Sequence, residues 1–266
     1  MSVSVATLSG WNESIAEAIA SINSNSFPEK LQHALSKLVD FDICMIFSYS
    51  QVNPSRSLFH NLDASQAKII IDDYLAGPYL LDPFYSATTK GKRKGFGAMR
   101  TLAPDQFYRS EFYRHHYVRT GISDEIGIFF PISSNSTAVL SIARRNPKKL
   151  FTEREKKIFS SVASFLERFA HNHWSKHGKT DSSARQKSTI ESVFDSFGLG
   201  VITAREKEIV TLVLRGHSSG SIGQVLGISE GTVKIHRKNA YDKLKISSQA
   251  ELFSMFLASL SKQLST

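Results

Sequence analysis

Basic side chains are concentrated in one stretch near the end of the chain, "ISEGTVKIHRKNAYDKLKI", from Ile228 to Ile246. It holds five lysine and arginine residues against two acidic ones. Lysine can donate hydrogen bonds to the acceptor edge of guanine, and a basic surface also neutralises phosphates. Helical spacing places an apolar set and a mainly basic set on opposite sides, Val233, Ala240 and Leu244 against Lys234, Ile235 and Lys238. The pattern therefore predicts a helix, residues 230–244, with an inner and an outer face.

Short helices with their own caps surround this stretch. Thr203 and Glu206 have capping-box spacing, Ser221 and Gln224 repeat it, and a further helix is expected from Ser248. Only "GIS" separates the second helix from the basic one, and a short turn with glycine between two such helices is typical of a helix-turn-helix. A basic helix alone is as often a solvated surface. In this setting we expect it to enter the major groove of DNA.

The predicted DNA-contacting residues form two groups according to the part of DNA that they would meet. Lys234, Ile235 and Lys238, with Thr232 beside them, lie where base edges would be read. Backbone phosphates would be met by Arg237, Asn239, Lys243, Ser218 and Ser219.

Residues 201–246 resemble the C-terminal DNA-binding domain of LuxR/FixJ-type transcription regulators. The resemblance lies in "T-x-R-E", "G-x-S", "I-x-x-x-L-x-I-S", "T-V-K-x-H" and the closing "K-L", which occur in register. It implies that the third helix reads DNA and that the fourth contributes to dimerisation. Ser221 and Gly223 stand where that family often has an acidic residue and alanine, and Gly231 lies in the first turn of the third helix.

A second candidate site lies in the first half of the chain, where aromatic residues surround one carboxylate. Its members are Asp82, Tyr74, Tyr79, Phe84, Tyr85 and Phe96. A carboxylate among aromatic rings can hold an amine or another cationic ligand through charge and cation–π contact. The alternative is that the rings belong to a hydrophobic core and that Asp82 caps the helix before Pro83.

The same region resembles the autoinducer-binding domain of quorum-sensing LuxR proteins, through "YLAGPYLLDPF", "GISDEIGIFFPI" and "VLSI". The resemblance implies that Asp82 binds ligand, that Tyr74 and Tyr79 form aromatic walls and that Ser141 faces the pocket. Tyr74 and Phe96 stand near positions where that family has tryptophan. We therefore expect a "solo" receptor for a small molecule other than a lactone, with an acyl-homoserine lactone as the alternative. A phosphoacceptor receiver domain is disfavoured, because the early acidic pair Asp72-Asp73 lies in a helical pattern.

The order of elements before residue 170 predicts an α/β sandwich of the PAS/GAF-like kind, an antiparallel sheet with flanking helices. Strands are expected at 41–49, "SLFHN", "DEIGIFFPI" and "TAVLSIARR", and single helices over "SQAKIIIDDYLAG", "LAPDQFYRSEFYRHHY" and "FTEREKKIFSSVASFLERFA". The polar segment that begins at His171 indicates a linker. The expected domains are a sensor at 1–170, a linker at 171–198 and an all-α four-helix module at 199–266.

Composition narrows the class of protein. The 266 residues carry a net charge of +9, which suits a nucleic-acid partner, and the single cysteine, Cys44, fits a reducing cytoplasm. Neither a signal peptide nor a membrane span is visible, so we expect a cytoplasmic protein without a membrane partner. The histidines at 171, 173 and 177 lack further ligands, and we predict no metal and no cofactor.

The interpretation is a ligand-responsive DNA-binding transcription regulator that acts as a homodimer on double-stranded DNA, and not an enzyme. Dimerisation is expected because a single helix-turn-helix reads few bases. Two alternatives belong to other classes. One is an enzyme with a tethered helical domain, for which the sequence offers no catalytic motif. The other is a helical module that only dimerises.

Overall fold

The computed structural model describes residues 4–50, 54–177 and 196–264. They form two compact units. Among the described residues, the first contains those up to Ala67, Thr88–Thr101 and 122–177. The second contains Lys68–Ala87, Leu102–Gly121 and the C-terminal residues. The domain limits at 1–170 and 199–266 stay a prediction, and a helix at Ala163–His177 enters the predicted linker at 171–198. None of the helices in these described ranges is long and apolar enough to cross a membrane.

An antiparallel sheet is the centre of the first unit, and within the described residues it has five strands. They are β1 (Ile43–Ser50), β2 (Arg56–His60), β3 (Gly95–Ala98), β4 (Ile122–Pro131) and β5 (Ser136–Arg145), in the order β2-β1-β5-β4-β3. The helices that accompany it are α1 (Val5–Ala20), α2 (Phe27–Ser36), α7 (Glu153–Ser161) and α8 (Ala163–His177). The α/β sandwich with flanking helices that the sequence predicts is confirmed.

Alternate residues of each strand face the helices, because side chains in a strand point to opposite sides of the sheet. Ile126 and Ile128 of β4, with Leu140 and Ile142 of β5, enter one apolar core with residues of α1, α2, α7 and α8. The strand β3 was not predicted, since "GFGA" is short and half glycine. Helix α7 begins with the capping box of Thr152 and Glu155 that the sequence predicts.

Short helical pieces lie between the strands. They are α3 (Ala64–Ala67), a π-helical turn (Lys68–Asp72), α4 (Asp73–Leu75), a 3-10 turn (Pro78–Leu81), α5 (Pro83–Thr89), α6 (Met99–Leu102), a 3-10 turn (Phe107–Arg109) and a π-helical turn (Tyr113–Val118). The prediction of one helix over "LAPDQFYRSEFYRHHY" is therefore wrong. The chain is extended at Ser110, whose hydroxyl accepts a hydrogen bond from the Tyr113 amide and so starts a new turn.

The C-terminal helices are α9 (Ala204–Leu214), α10 (Ser219–Leu226), α11 (Glu230–Leu244) and α12 (Gln249–Leu264). The capping box of Thr203 and Glu206 is confirmed. The box predicted at Ser221 and Gln224 is wrong, because Ser218 is the N-cap and its hydroxyl accepts from the Ser221 amide. Helices α9 and α10 both pack on α11, as in a helix-turn-helix.

Helix α8 continues seven residues into the segment predicted as a linker, so that part of the prediction is wrong. His173 and Trp174 of this segment are buried. The Trp174 ring lies 5.7 Å from the Phe27 ring and 5.8 Å from the Phe130 ring, between centroids. The Asn23 amide donates to Nδ1 of His173 at 3.0 Å. The rest of the predicted linker, from 178 to 195, lies outside the described residues.

A substitution at Trp174 tests this extension of α8. We expect Trp174→Ala to lower the free energy of unfolding by about 3–5 kcal/mol, because it empties a large buried volume. Asn172→Ala, at an exposed position of the same turn, is the matched control and should change it by less than about 0.5 kcal/mol. Urea unfolding measures both. Equal, small effects would mean that this segment is a linker after all.

Candidate nucleic-acid interface and candidate ligand site

Helix α11 has one buried and one exposed side. Val233 and Ala240 are fully buried, and Leu244 is 8% exposed. Lys234 and Ile235 are 65% and 61% exposed, and Lys238 is exposed as well. The inner and outer faces that helical spacing predicts are thus the faces that the folded helix has.

The start of α11 is held by a close approach of α10. A Cβ on Gly223 would lie 2.7 Å from the carbonyl oxygen of Ile228, so the glycine leaves room for the turn. The Ile228 amide donates to the Gly223 carbonyl at 3.0 Å. Ser229 caps α11 by accepting from the Thr232 amide at 3.1 Å. The first turn of α11, which contains Gly231, is therefore held by the Ser229 cap and by the hydrogen bond from Ile228 to Gly223.

A groove of about 510 Å³ runs beside the exposed side of α11. Its lining residues are Ser219, Lys234, Arg237, Lys238, Tyr241, Asp242, Ile246 and Ser247. The Arg237 guanidinium lies 5.1 Å from the centroid of the Tyr241 ring, a cation–π contact between two residues that line the groove. The groove therefore brings together three basic side chains of α11, those of Lys234, Arg237 and Lys238.

The predicted DNA-contacting residues differ in how free their polar groups are. Lys243 donates to both carboxylate oxygens of buried Glu206 at 2.8 Å, so the charge of Lys243 is neutralised within the helical module. Lys234 forms only an exposed pair with Glu230, at 2.6 Å. The Thr232 hydroxyl lies 2.8 Å from that of Ser229, and Asn239 is exposed. Sequence spacing could not separate Lys243 from the other lysines, because its partner lies 37 residues away.

Asp82 is the buried carboxylate of the candidate ligand site, and it caps α5. Its Oδ1 accepts from the amide of Phe84 at 2.6 Å and from that of Tyr85 at 3.4 Å. Its Oδ2 accepts from the hydroxyl of Tyr117 at 3.2 Å. Burial raises the pKa of Asp82 to about 6, although these hydrogen bonds and one from Tyr74 act in the opposite direction.

Aromatic rings surround Asp82 within the second unit. Between centroids, Tyr79 lies 6.1 Å from Tyr74 and 5.0 Å from Tyr85. All of these rings are buried. Tyr74 also lies 5.0 Å from His116, and burial lowers the pKa of this histidine to about 3, so it is neutral. Tyr117 and His116 were not predicted to lie beside this cluster, and their only signal in the sequence is the aromatic run "FYRHHY".

Phe96 and Ser141 belong to the first unit and lie on opposite faces of its sheet. Phe96 pairs with Ile128, and its ring packs 6.3 Å from that of Phe159 on the face covered by helices. Ser141 is opposite Gly127 and Met45, on the other face, where it is buried. Residues on opposite faces of one sheet do not line the same pocket, so the prediction that both bind the ligand is wrong for at least one of them.

Comparison with known proteins defines the class. Residues 200–256 match the family described as "Bacterial regulatory proteins, luxR family". A putative HTH-type transcriptional regulator of Aeromonas salmonicida is 30% identical over 185 residues, which cover 66% of this chain and 93% of that protein. The chain belongs to the LuxR family of transcription regulators, and families of this kind are not enzymatic.

Solved structures agree on the fold of the first part of the chain. The VqsR ligand-binding domain of Pseudomonas aeruginosa matches with a TM-score of 0.54 and 19% identity, over 61% of this chain and 95% of that one. The N-acylhomoserine lactone dependent regulator CepR2 of Burkholderia cenocepacia matches with a TM-score of 0.50 and 11% identity, over 66% and 99%. The N-terminal part therefore has the fold of LuxR-type ligand-binding domains.

The raised pKa of Asp82 predicts a particular dependence of stability on pH. Between its usual value of 3.8 and about 6, the carboxyl is protonated in the folded chain but ionised in the unfolded chain. Folding stability therefore falls as pH rises through this window, by about 3 kcal/mol for a shift of this size. Asp82→Asn cannot ionise, so we expect its stability relative to wild type to increase from pH 4 to 6 and then level off.

Urea unfolding at several pH values measures this difference. Asp63→Asn is the control, since Asp63 is an exposed helix cap that accepts from the Gln66 amide and its pKa is lowered by that bond. Its difference from wild type should not grow with rising pH. A flat difference for Asp82→Asn would show that folding does not raise the pKa of Asp82.

Proposed function

We propose that this protein is a ligand-responsive regulator whose helix α11 lies in the major groove of duplex DNA. The observation that carries the proposal is the division of α11, in which Lys234, Ile235 and Lys238 are exposed while its apolar side is buried. Two lysines can donate to guanine, and an isoleucine between them can meet a thymine methyl.

The surroundings of α11 support contacts to the DNA backbone. Arg237 and Ser219 line the same groove as Lys234 and Lys238. Basic and hydroxyl groups beside a reading helix usually meet phosphates, which fix its register on the duplex. The Lys243 ammonium already neutralises Glu206, so we assign it to the fold of the module more than to DNA. A homodimer on a partly palindromic site follows from the small number of bases that one such helix reads.

The test uses duplexes that the wild-type protein selects from a randomised pool. We expect Lys234→Ala with Lys238→Ala to weaken binding to the selected duplex by about 100-fold, since each lost base contact is worth about 1–3 kcal/mol. Fluorescence anisotropy over a range of salt concentrations gives both the affinity and the salt slope, which should become shallower.

Lys90→Ala with Lys94→Ala is the matched control for this test. Both lysines are exposed, they have the same spacing of four, and the change in net charge is the same. We expect affinity to stay within about threefold, as for surface charges outside the helical module. Tight binding by a folded Lys234/Lys238 double variant would contradict the assignment of the reading face. An equal loss in the control would do so as well.

For the N-terminal part we propose a small-molecule effector that carries an amine. Burial of the ionised Asp82 carboxylate is unfavourable, and an ammonium group bound beside it would offset that cost. Tyr74, Tyr79 and Tyr85 offer ring faces for a cation–π contact with the same group. CepR2, which shares the fold, is described as dependent on N-acylhomoserine lactone. A lactone is therefore the alternative effector, and it would not depend on the Asp82 charge in this way.

Thermal shift of the full chain separates the two effectors. A panel of primary amines and a series of acyl-homoserine lactones are the probes. We expect an amine to raise the Tm of wild type but not of Asp82→Asn, because ligand that binds only the folded state stabilises it by mass action. A lactone that raises the Tm of both variants equally would contradict the amine.

A further inference from the structure

Asp105 lies against the N-terminus of α10, the first helix of the helix-turn-helix. Its Oδ1 accepts a hydrogen bond from the Ser218 amide at 3.0 Å, across 113 residues of sequence. Both residues belong to the second compact unit. Burial raises the pKa of Asp105, but the hydrogen bonds from Ser218 outweigh this and hold the pKa below its usual range. A carboxylate thus occupies this helix terminus at neutral pH.

The neighbouring backbones approach closely at the same place. The Gln106 amide donates to the Gly216 carbonyl at 2.9 Å. Gly216 has a φ of +89°, and a Cβ on it would lie 2.7 Å from the Cα of Phe107. Only glycine combines this conformation with this approach. Asp105 therefore lies next to a close backbone contact, in which Gln106 and Phe107 pack against Gly216.

The Ser218 amide is a group that DNA itself would use. In a helix-turn-helix the first helix crosses the DNA backbone, and amides at helix N-termini are favoured partners of phosphate. The Ser218 hydroxyl already accepts from the Ser221 amide at 3.1 Å, so it caps the helix and leaves the backbone N–H of Ser218 to an outside acceptor. Asp105 supplies that acceptor as an oxyanion, as a phosphate would.

We propose that Asp105 acts as an internal substitute for a DNA phosphate and restrains the helix-turn-helix until the contact opens. This rests on the proposed function, because it assumes that α11 and the start of α10 meet DNA. The Asp105–Ser218 contact and a phosphate at Ser218 exclude each other, and the negative charge of Asp105 repels the backbone. DNA binding then has to break this contact.

Packing connects this contact with the candidate ligand site. The Tyr117 hydroxyl donates to Asp82, and the Tyr117 ring lies 5.7 Å from that of Phe107. Phe107 is two residues from Asp105, and its backbone abuts Gly216. A ligand that displaced the Tyr117 hydroxyl would therefore disturb the packing of Phe107, two residues from Asp105. This gives the restraint a route by which it can be released.

The experiment compares Asp105→Asn with Asp63→Asn in the full chain, on the duplex that wild type selects. Both changes replace an aspartate that accepts from a backbone amide, and both raise the net charge by the same amount. We expect Asp105→Asn to bind about fivefold tighter than wild type, the scale of an exposed charged contact, and Asp63→Asn to be unchanged. Circular dichroism checks that both variants are folded.

Hydrogen exchange of the free protein gives a second measurement. Peptides that contain Ser218 should exchange faster in Asp105→Asn than in wild type, but not in Asp63→Asn. Affinity that is unchanged or weaker in Asp105→Asn would overturn the restraint, since a mere helix cap would act in that direction. If wild type binds through Lys234 and Lys238 while Asp105→Asn binds no tighter, only this inference fails. If no variant binds the duplex, the proposed function fails and the inference with it.

Discussion

Burial of Val233, Ala240 and Leu244 fixes the rotation of α11 about its own axis, and the proposed DNA-reading surface depends on this constraint. A helix that turned by one residue would carry Lys234 inward, where an unpaired ammonium is costly. The Glu206 carboxylate adds a polar restraint, because it caps α9 through the Thr203 amide and holds Lys243 of α11. Apolar burial and one ion pair thus determine which side chains are presented outward.

Much of the helical module could be predicted from the sequence, because its signals are local. Capping residues, glycine stops and the periodicity of Val233, Ala240 and Leu244 lie within a few residues of the helices that they define. The extension of α8 through Trp174 could not be predicted in this way. Its burial depends on Phe27 and Phe130, which are far away in sequence, while the surrounding histidines, asparagine and lysine resemble a linker. Tertiary packing overrides composition at this place.

The candidate ligand site also contains residues that the sequence could predict and residues that it could not. Tyr74, Tyr79 and Asp82 lie within nine residues, and the sequence correctly predicted that they lie together. One oxygen of Asp82 caps α5 while the other accepts from Tyr117, and binding of a ligand by Asp82 stays a prediction. Phe96 was predicted to belong to the candidate ligand site only because it is aromatic and lies near the other rings in sequence. Strand register decides its position, and the short glycine-rich β3 carries too little pattern to reveal that register.

The contact of Trp174 and His173 with the first helices has a practical consequence for dividing the protein into fragments. A fragment that ends at residue 170 would keep Phe27 and Asn23 but lose the ring and the imidazole that cover them. A fragment that ends after α8 would still lack Gly216, against which the backbone of Phe107 packs. Neither cut leaves all of these interfaces intact. Ligand screens therefore require the uncut chain, and failure of a fragment to bind would carry no information about the effector.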